Sequence, residues 1–212
     1  MNNGSLVWRV GHVSAPLDFP PREVLSWKNR FDDPDKVFRT LYCSERRQTA
    51  LREVLADFRP NAKARAEYRE LFGEELPPPR IKEVWLRERV LARGEIRVLQ
   101  NELANIDDPA LRHQFEQLHA DLLARHGMDH LDVAQIRGKD RPVTQTVTRF
   151  AADRGAAGIV YGSNLDDLPC AALFEGRSLL VPVPGPDPEP LTASHPDLVA
   201  VCNELGLVLV ED

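Results

Sequence analysis

The first apolar run, Leu6-Val7-Trp8 leading into Arg9-Val10, predicts a short strand. Pro16, Pro20 and Pro21 turn the next passage into loop. Val37 to Tyr42 is rich in β-branched and aromatic residues and predicts a second strand. Ser44 offers an N-cap, after which Ala50, Leu51, Val54, Leu55 and Phe58 recur at helical spacing until Pro60 stops them. Asn61 caps another helix, with Tyr68, Leu71 and Phe72 on one side and Gly73 at the C-terminal cap. Beyond the stiff connector Pro77-Pro78-Pro79, residues Ile81 to Leu99 read as two strands around Gly94, although their arginines fit a helix face almost as well.

Asp108-Pro109 opens the clearest helix, with Leu111, Phe115, Leu118, Leu122 and Leu123 on one stripe and an end near Gly127. A helix from Pro142 to Arg154 precedes Gly155, and Gly158 to Tyr161 predicts a strand. Ala171 to Phe174 and Ser178 to Val181 flank a turn at Glu175-Gly176-Arg177. Five prolines between Pro182 and Pro190 predict an extended loop. Ser194 caps a last helix, and Leu207 to Val210 closes the chain as a strand. The sum is an α+β fold in a single domain spanning residues 1–212, because no linker separates two self-sufficient apolar patterns.

Composition narrows the class. With 42% apolar and 28% charged residues among 212, disorder and fibre are excluded, and one core can form without disulfides. Cys43, Cys170 and Cys202 are odd in number and far apart, the usage of a reducing compartment. The N-terminus has no signal-peptide pattern, and the longest apolar run is Leu207 to Val210. A cytoplasmic protein without membrane association is expected.

The net charge of −6 argues against direct nucleic-acid binding. That excess lies wholly in residues 138–212, with 5 basic and 11 acidic side chains. Residues 1–58 carry 9 basic and 8 acidic ones, which leaves arginines for an anionic small molecule. No phosphate-binding GxxxxGK[ST], no GxGxxG and no HExxH occurs. His113, His119, His126 and His130 read as a solvated helix face, and no metal site is expected.

Three segments stand out chemically: Arg30 just ahead of the turn Asp32-Asp33-Pro34; Tyr42 ending a strand, with Glu53 set between Leu51 and Val54; and the strand Gly158 to Tyr161 running into the polar tip Gly162-Ser163-Asn164. Taken singly, each has a structural explanation. Arg30 can pair with Asp32 or Asp33, and Glu53 with Arg46, Arg47 or Arg52. Tyr42 can be core, and Ser163 a turn residue.

Taken in order, these segments resemble the RES-domain family, named for its arginine, glutamate and serine. The likeness includes Arg30-Phe31 before Pro34, Tyr42 before the Ala50-Leu51-x-Glu53-Val54-Leu55 helix, and Gly158-Ile159-x-Tyr161-x-Ser163 before Ala172-Leu173-Phe174. Arg9 and Arg141-x-x-Thr144-Gln145 also fit the pattern. The resemblance implies a split β-core similar to the ADP-ribosyltransferase toxins, with extra helical segments at about 61–73 and 108–126. It implies an enzyme that degrades NAD at the nicotinamide–ribose bond by hydrolysis or phosphorolysis. NAD would be substrate, phosphate a possible co-substrate, and no prosthetic group is expected. In many members the partner is a helix-turn-helix antitoxin.

On that implication Glu53 stabilises the cationic ribose, as in oxocarbenium-like glycoside cleavage. Arg30 grips the pyrophosphate with its planar fork. Tyr42 stacks on the nicotinamide, Ser163 orients the ribose or the glutamate, and Arg9 makes a second phosphate contact. ADP-ribosyl transfer to a macromolecule, or a non-catalytic interaction protein of the same fold, are the competing readings.

Overall fold

The structure, a computed structural model, describes residues 1–185 and 188–210. The first half of the chain forms β1 (Leu6–His12), β2 (Thr40–Ser44), α1 (Arg47–Leu55), α2 (Ala62–Phe72), β3 (Arg80–Lys82), α3 (Glu83–Arg87), β4 (Arg89–Val98) and β5 (Leu103–Asn105). The second half forms α4 (Pro109–Leu118), α5 (Ala120–Arg125), α6 (Val133–Ile136), α7 (Arg141–Asp153), β6 (Gly158–Gly162), β7 (Pro169–Phe174), β8 (Ser178–Pro182), β9 (Glu189–Pro190), α8 (Pro196–Leu205) and β10 (Val208–Val210). The α+β expectation holds.

The main sheet runs β5-β6-β7-β2-β1-β4-β8, with β9 also on β4, and β10 pairs in parallel with β3. Its pairings are uneven. β1 and β4 match from Leu6↔Glu95 to His12↔Arg89, and β2 and β7 from Thr40↔Phe174 to Ser44↔Cys170. Between β1 and β2 the register holds only at Trp8↔Ser44. The two halves of the sheet are therefore joined there by a single register pair. Val7, Leu41, Cys43, Ile96, Ala171, Leu173 and Leu180 form one buried cluster drawn from both half-sheets. The Glu175–Arg177 turn accordingly closes no hairpin: it carries the chain from β7 in one half to β8 in the other.

Each half-sheet has its own helical cover. Phe115 of α4 and Val143, Val147 and Phe150 of α7 pack with Ile159 and Tyr161 of β6. Leu51 and Leu55 of α1 pack with Ile81 of β3, Leu91 of β4, and Leu198 and Val201 of α8. Burying such side chains contributes roughly 1.5–3 kcal/mol each, so both helix layers are fastened by their apolar stripes.

Local signals account for most elements. Asn61 Oδ1 accepts from the Ala64 N–H at 2.8 Å to start α2, and Gly73 ends it at φ 69°. Asp108 and Asp140 cap α4 and α7 in the same way. Five expectations need correction. Residues 81–99 are not a strand pair: a short strand and helix α3 precede β4, which runs through Gly94. A Cβ there would lie 3.2 Å from Leu17 and 3.3 Å from the Val181 carbonyl, so the glycine admits neighbours rather than a turn. Ser44 does not cap α1; it ends β2, buried, its Oγ 3.2 Å from Cys170 Sγ. His195, not Ser194, caps α8, through Nδ1 to the Leu198 N–H. The helix expected from Asp108 to Gly127 breaks at His119 (φ −123°, ψ 28°) into α4 and α5. Of the proline-rich passage 182–190, residues 186 and 187 lie outside the described residues, and Glu189–Pro190 is a short strand rather than loop.

Candidate active site

Where β1 and β2 part, a cavity of about 1030 Å³ opens between the half-sheets. Trp8 and Arg9 face it from β1, Tyr42 from β2, Glu53 from α1, Tyr161 from β6, and Arg30 from the loop before β2. Four of the five residues singled out in the sequence, Arg9, Arg30, Tyr42 and Glu53, thus line one space, although they come from two strands, a loop and a helix.

Arg30 is placed by a tight scaffold. The Tyr42 hydroxyl accepts from the Phe31 N–H at 3.0 Å and donates to Asp32 Oδ1 at 3.1 Å. Asp32 also accepts from the Asn29 N–H at 2.8 Å, and Thr40 Oγ1 donates to the Phe31 carbonyl at 3.2 Å. Arg30 itself pairs with neither Asp32 nor Asp33. Its Nε and Nη1 are buried without a hydrogen-bond partner, and its guanidinium lies 5.6 Å from the Phe31 ring centre. Orphaned buried donors cost about 1–3 kcal/mol each, a cost that an anionic ligand would remove. Burial first, and the neighbouring Asp32 second, push the Tyr42 phenol well above its ordinary pKa, so it stays neutral and its hydroxyl is committed to the Arg30 turn. Only its ring face is left for stacking.

Glu53 avoids every arginine near it in sequence. Arg47 goes to Glu189 and Asp197, and Arg52 to Asp166 and Glu204. Glu53 Oε1 accepts instead from Ser163 Oγ at 2.6 Å. Ser163 is 1% exposed and also takes the Leu165 N–H at 3.1 Å, so its hydroxyl proton can point only one way. Ser163 therefore reaches the cavity through Glu53, as an orienting group.

Arg9 spans the split: its Nε donates to the Pro16 carbonyl at 3.0 Å and its Nη1 to the Tyr42 carbonyl at 3.0 Å. Burial pushes its pKa down to about 10, still well above neutral, so the charge stays. The guanidinium holds β1 to β2 where their ladder has ended. Cys43 and Cys170, both adjoining this region, are pushed up to about 12 by burial and are neutral thiols rather than nucleophiles.

Two features of the site were not visible in the sequence. Arg137, just after α6, pairs with Asp107 and with Asp167 (2.5 Å), and Asp107 accepts the Gly162 N–H at 3.3 Å. A Cβ on Gly162 would lie 2.3 Å from the Arg137 guanidinium. Asn164 Nδ2 donates to the Arg137 carbonyl at 2.5 Å. This clamp fixes the tip that carries Ser163. Only the Gly-x-x-x-Gly spacing of the β6 strand hinted at close approach there. The second feature is a set of rim cations, Arg59, Arg65 and Lys139, beside the Arg141 that fitted the family pattern. With Arg9 and Arg30 they make six cations in the cavity wall, against the carboxylates of Glu53 and Asp57. None of the six enters an ion pair among the described residues, whereas Arg39, Arg47, Arg52 and Arg137 elsewhere are all paired.

The helix histidines have structural partners: His119 stacks on Phe115 at 4.4 Å and His126 meets Asp140 at 2.7 Å. Among the described residues no helix is long and apolar enough to cross a membrane.

Comparison with known proteins gives the following. The family model described as RES domain matches residues 6–194. No curated protein matches the chain. A chain in the crystal structure of the M. tuberculosis MbcT-MbcA toxin-antitoxin complex is similar at 15% identity and a TM-score of 0.44, covering 84% of this chain and 81% of that one.

Proposed function

The chain belongs to the RES-domain family, and on that premise we propose that it is an enzyme degrading NAD by cleavage of the nicotinamide–ribose bond. The observation that carries this reading is the Glu53–Ser163 pair, a carboxylate with no cationic partner set into a cavity whose other charges are almost all positive.

In this reaction the C1′–N bond breaks and its electron pair goes to the nicotinamide nitrogen, which loses its positive charge. The ribose carbon gains that charge, shared with its ring oxygen, as in glycoside cleavage. Glu53 stabilises the developing cation, and the Ser163 hydrogen bond holds the carboxylate in one orientation. Arg30 offers its unpartnered nitrogens to the pyrophosphate, which a bidentate fork fits well. The Tyr42 ring supplies a stacking face for the nicotinamide, and Arg9 keeps the two strands at the spacing the ligand needs. An oxygen of water or of inorganic phosphate then bonds to C1′ and releases its proton to solvent, giving ADP-ribose or its 1″-phosphate.

The test is nicotinamide release from NAD by the purified chain, with Glu53→Ala as control, in buffers with and without phosphate. Turnover lost in the variant supports the reading, and its phosphate dependence separates glycohydrolase from phosphorylase. Turnover no greater than that of the variant in either buffer refutes it. A mass increase of an acceptor protein would instead identify ADP-ribosyl transfer. The family reading also implies an antitoxin partner. A helix-turn-helix protein encoded by an adjacent gene, forming a stable complex that stops nicotinamide release, is the expected finding.

A further inference from the structure

We infer that the cavity holds a site for a third phosphate beyond the pyrophosphate, formed by Arg59 and Arg65, and that it takes the 2′-phosphate of the adenosine ribose, making NADP the preferred dinucleotide. The inference rests on the proposed action on NAD and specifies the substrate of that same site.

The charges of the cavity wall carry the argument. A chain of net charge −6 places six cations and two carboxylates around one space. A pyrophosphate brings two negative charges, and the nicotinamide ring returns one positive charge. NAD thus leaves most of these cations unanswered. Their present commitments show which are spare. Arg9 is spent on the Pro16 and Tyr42 carbonyls. Arg141 donates Nε to the Lys28 carbonyl at 3.0 Å, bracing the loop that leads into Arg30. Arg30 sits deepest, stacked near Phe31 and Tyr161, with buried free nitrogens suited to the pyrophosphate.

Arg59, Arg65 and Lys139 remain. Arg59 lies on the connection from α1 into α2 and Arg65 in the first turn of α2, with the lining residues Pro60, Asn61 and Ala62 between them. Neither side chain makes a hydrogen bond or ion pair among the described residues. By contrast Arg69, one turn further along α2, pairs with Glu75, and Lys63 with Glu67. The cations of α2 that face away from the cavity are thus matched, and the one that faces it is not. Asp57 is the acidic side chain on this wall, and it pairs with neither arginine. Two planar forks on one wall suit a dianionic phosphate monoester, which offers three oxygens where a bridging phosphate offers two.

The test compares two nucleotides that lack nicotinamide, ADP and 2′,5′-ADP, by calorimetric titration of the wild-type chain, of the Arg59→Ala/Arg65→Ala variant and of Arg59→Lys/Arg65→Lys. We expect 2′,5′-ADP to bind wild type at least tenfold tighter than ADP, the difference to vanish in the alanine variant, and ADP affinity to change little. The lysine variant should retain part of the preference, since both positions are exposed and the change keeps charge. In turnover, kcat/KM for NADP should exceed that for NAD by a similar factor. Equal affinity for the two nucleotides overturns the inference while leaving the NAD reading standing. Binding of neither nucleotide removes both. If inorganic phosphate tightens ADP binding in an arginine-dependent way without any preference for 2′,5′-ADP, the site belongs to free phosphate and the 2′-phosphate assignment is overturned.

Discussion

On the outer side of α1, Arg47 is held by Glu189 and Asp197 and Arg52 by Asp166 and Glu204, every contact at 3.0 Å or less. One residue further round the same helix, Glu53 meets no cation at all and takes a single serine hydroxyl. The same helix thus carries two charges that are cancelled and a third that is left uncancelled. A cancelled charge fastens one element to another: Arg47 and Arg52 tie α1 to β9, α8 and the loop after β6. An uncancelled charge in a partly desolvated wall keeps its full interaction for something that arrives later. Arg30, with Nε and Nη1 buried and unpartnered, belongs with Glu53 in this respect.

The comparison can be broken most sharply at Glu53. Glu53→Gln keeps an acceptor for Ser163 but removes the charge, and nicotinamide release should fall about 10²- to 10³-fold, the usual loss for one transition-state contact. Thermal stability close to wild type would show that the charge is functional. Arg30→Ala removes free donors rather than a structural tie, and each charge-assisted bond to phosphate is worth about 1.5–3 kcal/mol. KM for NAD should therefore rise on the order of 10- to 100-fold, since about 1.4 kcal/mol is one decade, with a smaller change in kcat.

Gly162→Ala tests the clamp that lies between the two kinds of charge. The new methyl would strike the Arg137 guanidinium, so stability should fall by about 1–3 kcal/mol and turnover with it, as Ser163 shifts. Denaturant titration and nicotinamide release together check this. Among the cancelled charges, Arg47→Ala removes two ion pairs whose arginine is about a third exposed, so the loss should be only about 1 kcal/mol or less per pair, with turnover per folded molecule little changed.

Acid should act on the cancelled charges gently. Hydrogen bonds from Arg39, Arg47 and Arg52 hold Glu175, Glu189 and Glu204 below their ordinary pKa. Each carboxylate then binds fewer protons folded than unfolded, so its contribution is complete above about pH 4–5 and is lost as pH falls through the depressed folded values. A Tm measured against pH should be flat near neutrality and decline below that range; a decline beginning above pH 6 would point to other groups.

How much of this was readable in advance follows from the range of each interaction. α2, α4 and α7 announce themselves because Asn61, Asp108, Asp140 and Gly73 act within one turn of chain. Gly94 misleads because its reason, Leu17 and Val181 against β4, lies far away in sequence. Ser44 and Ser194 looked like caps from their chemistry, yet a strand pairing and a neighbouring histidine took precedence. Arg30, Tyr42, Glu53 and Ser163 were found through their order along the chain. The commitments that distinguish them, Tyr42 to the Phe31 turn and Glu53 to Ser163, needed the fold. Arg59 and Arg65 carried no signal at all, since an unpaired arginine can be recognised only once its neighbours are known.

β10 lies edge to edge with β3 in the two-stranded sheet, and α8 supplies Leu198, Val201 and Cys202 to the same core as Leu51 and Leu55 of α1. During synthesis on the ribosome, α1 is made early but lacks this cover until residue 210 has emerged. Since domains fold as units while the chain grows, the carboxylate on α1 takes its place only after α8 and β10 have been made, more than 140 residues later in the chain.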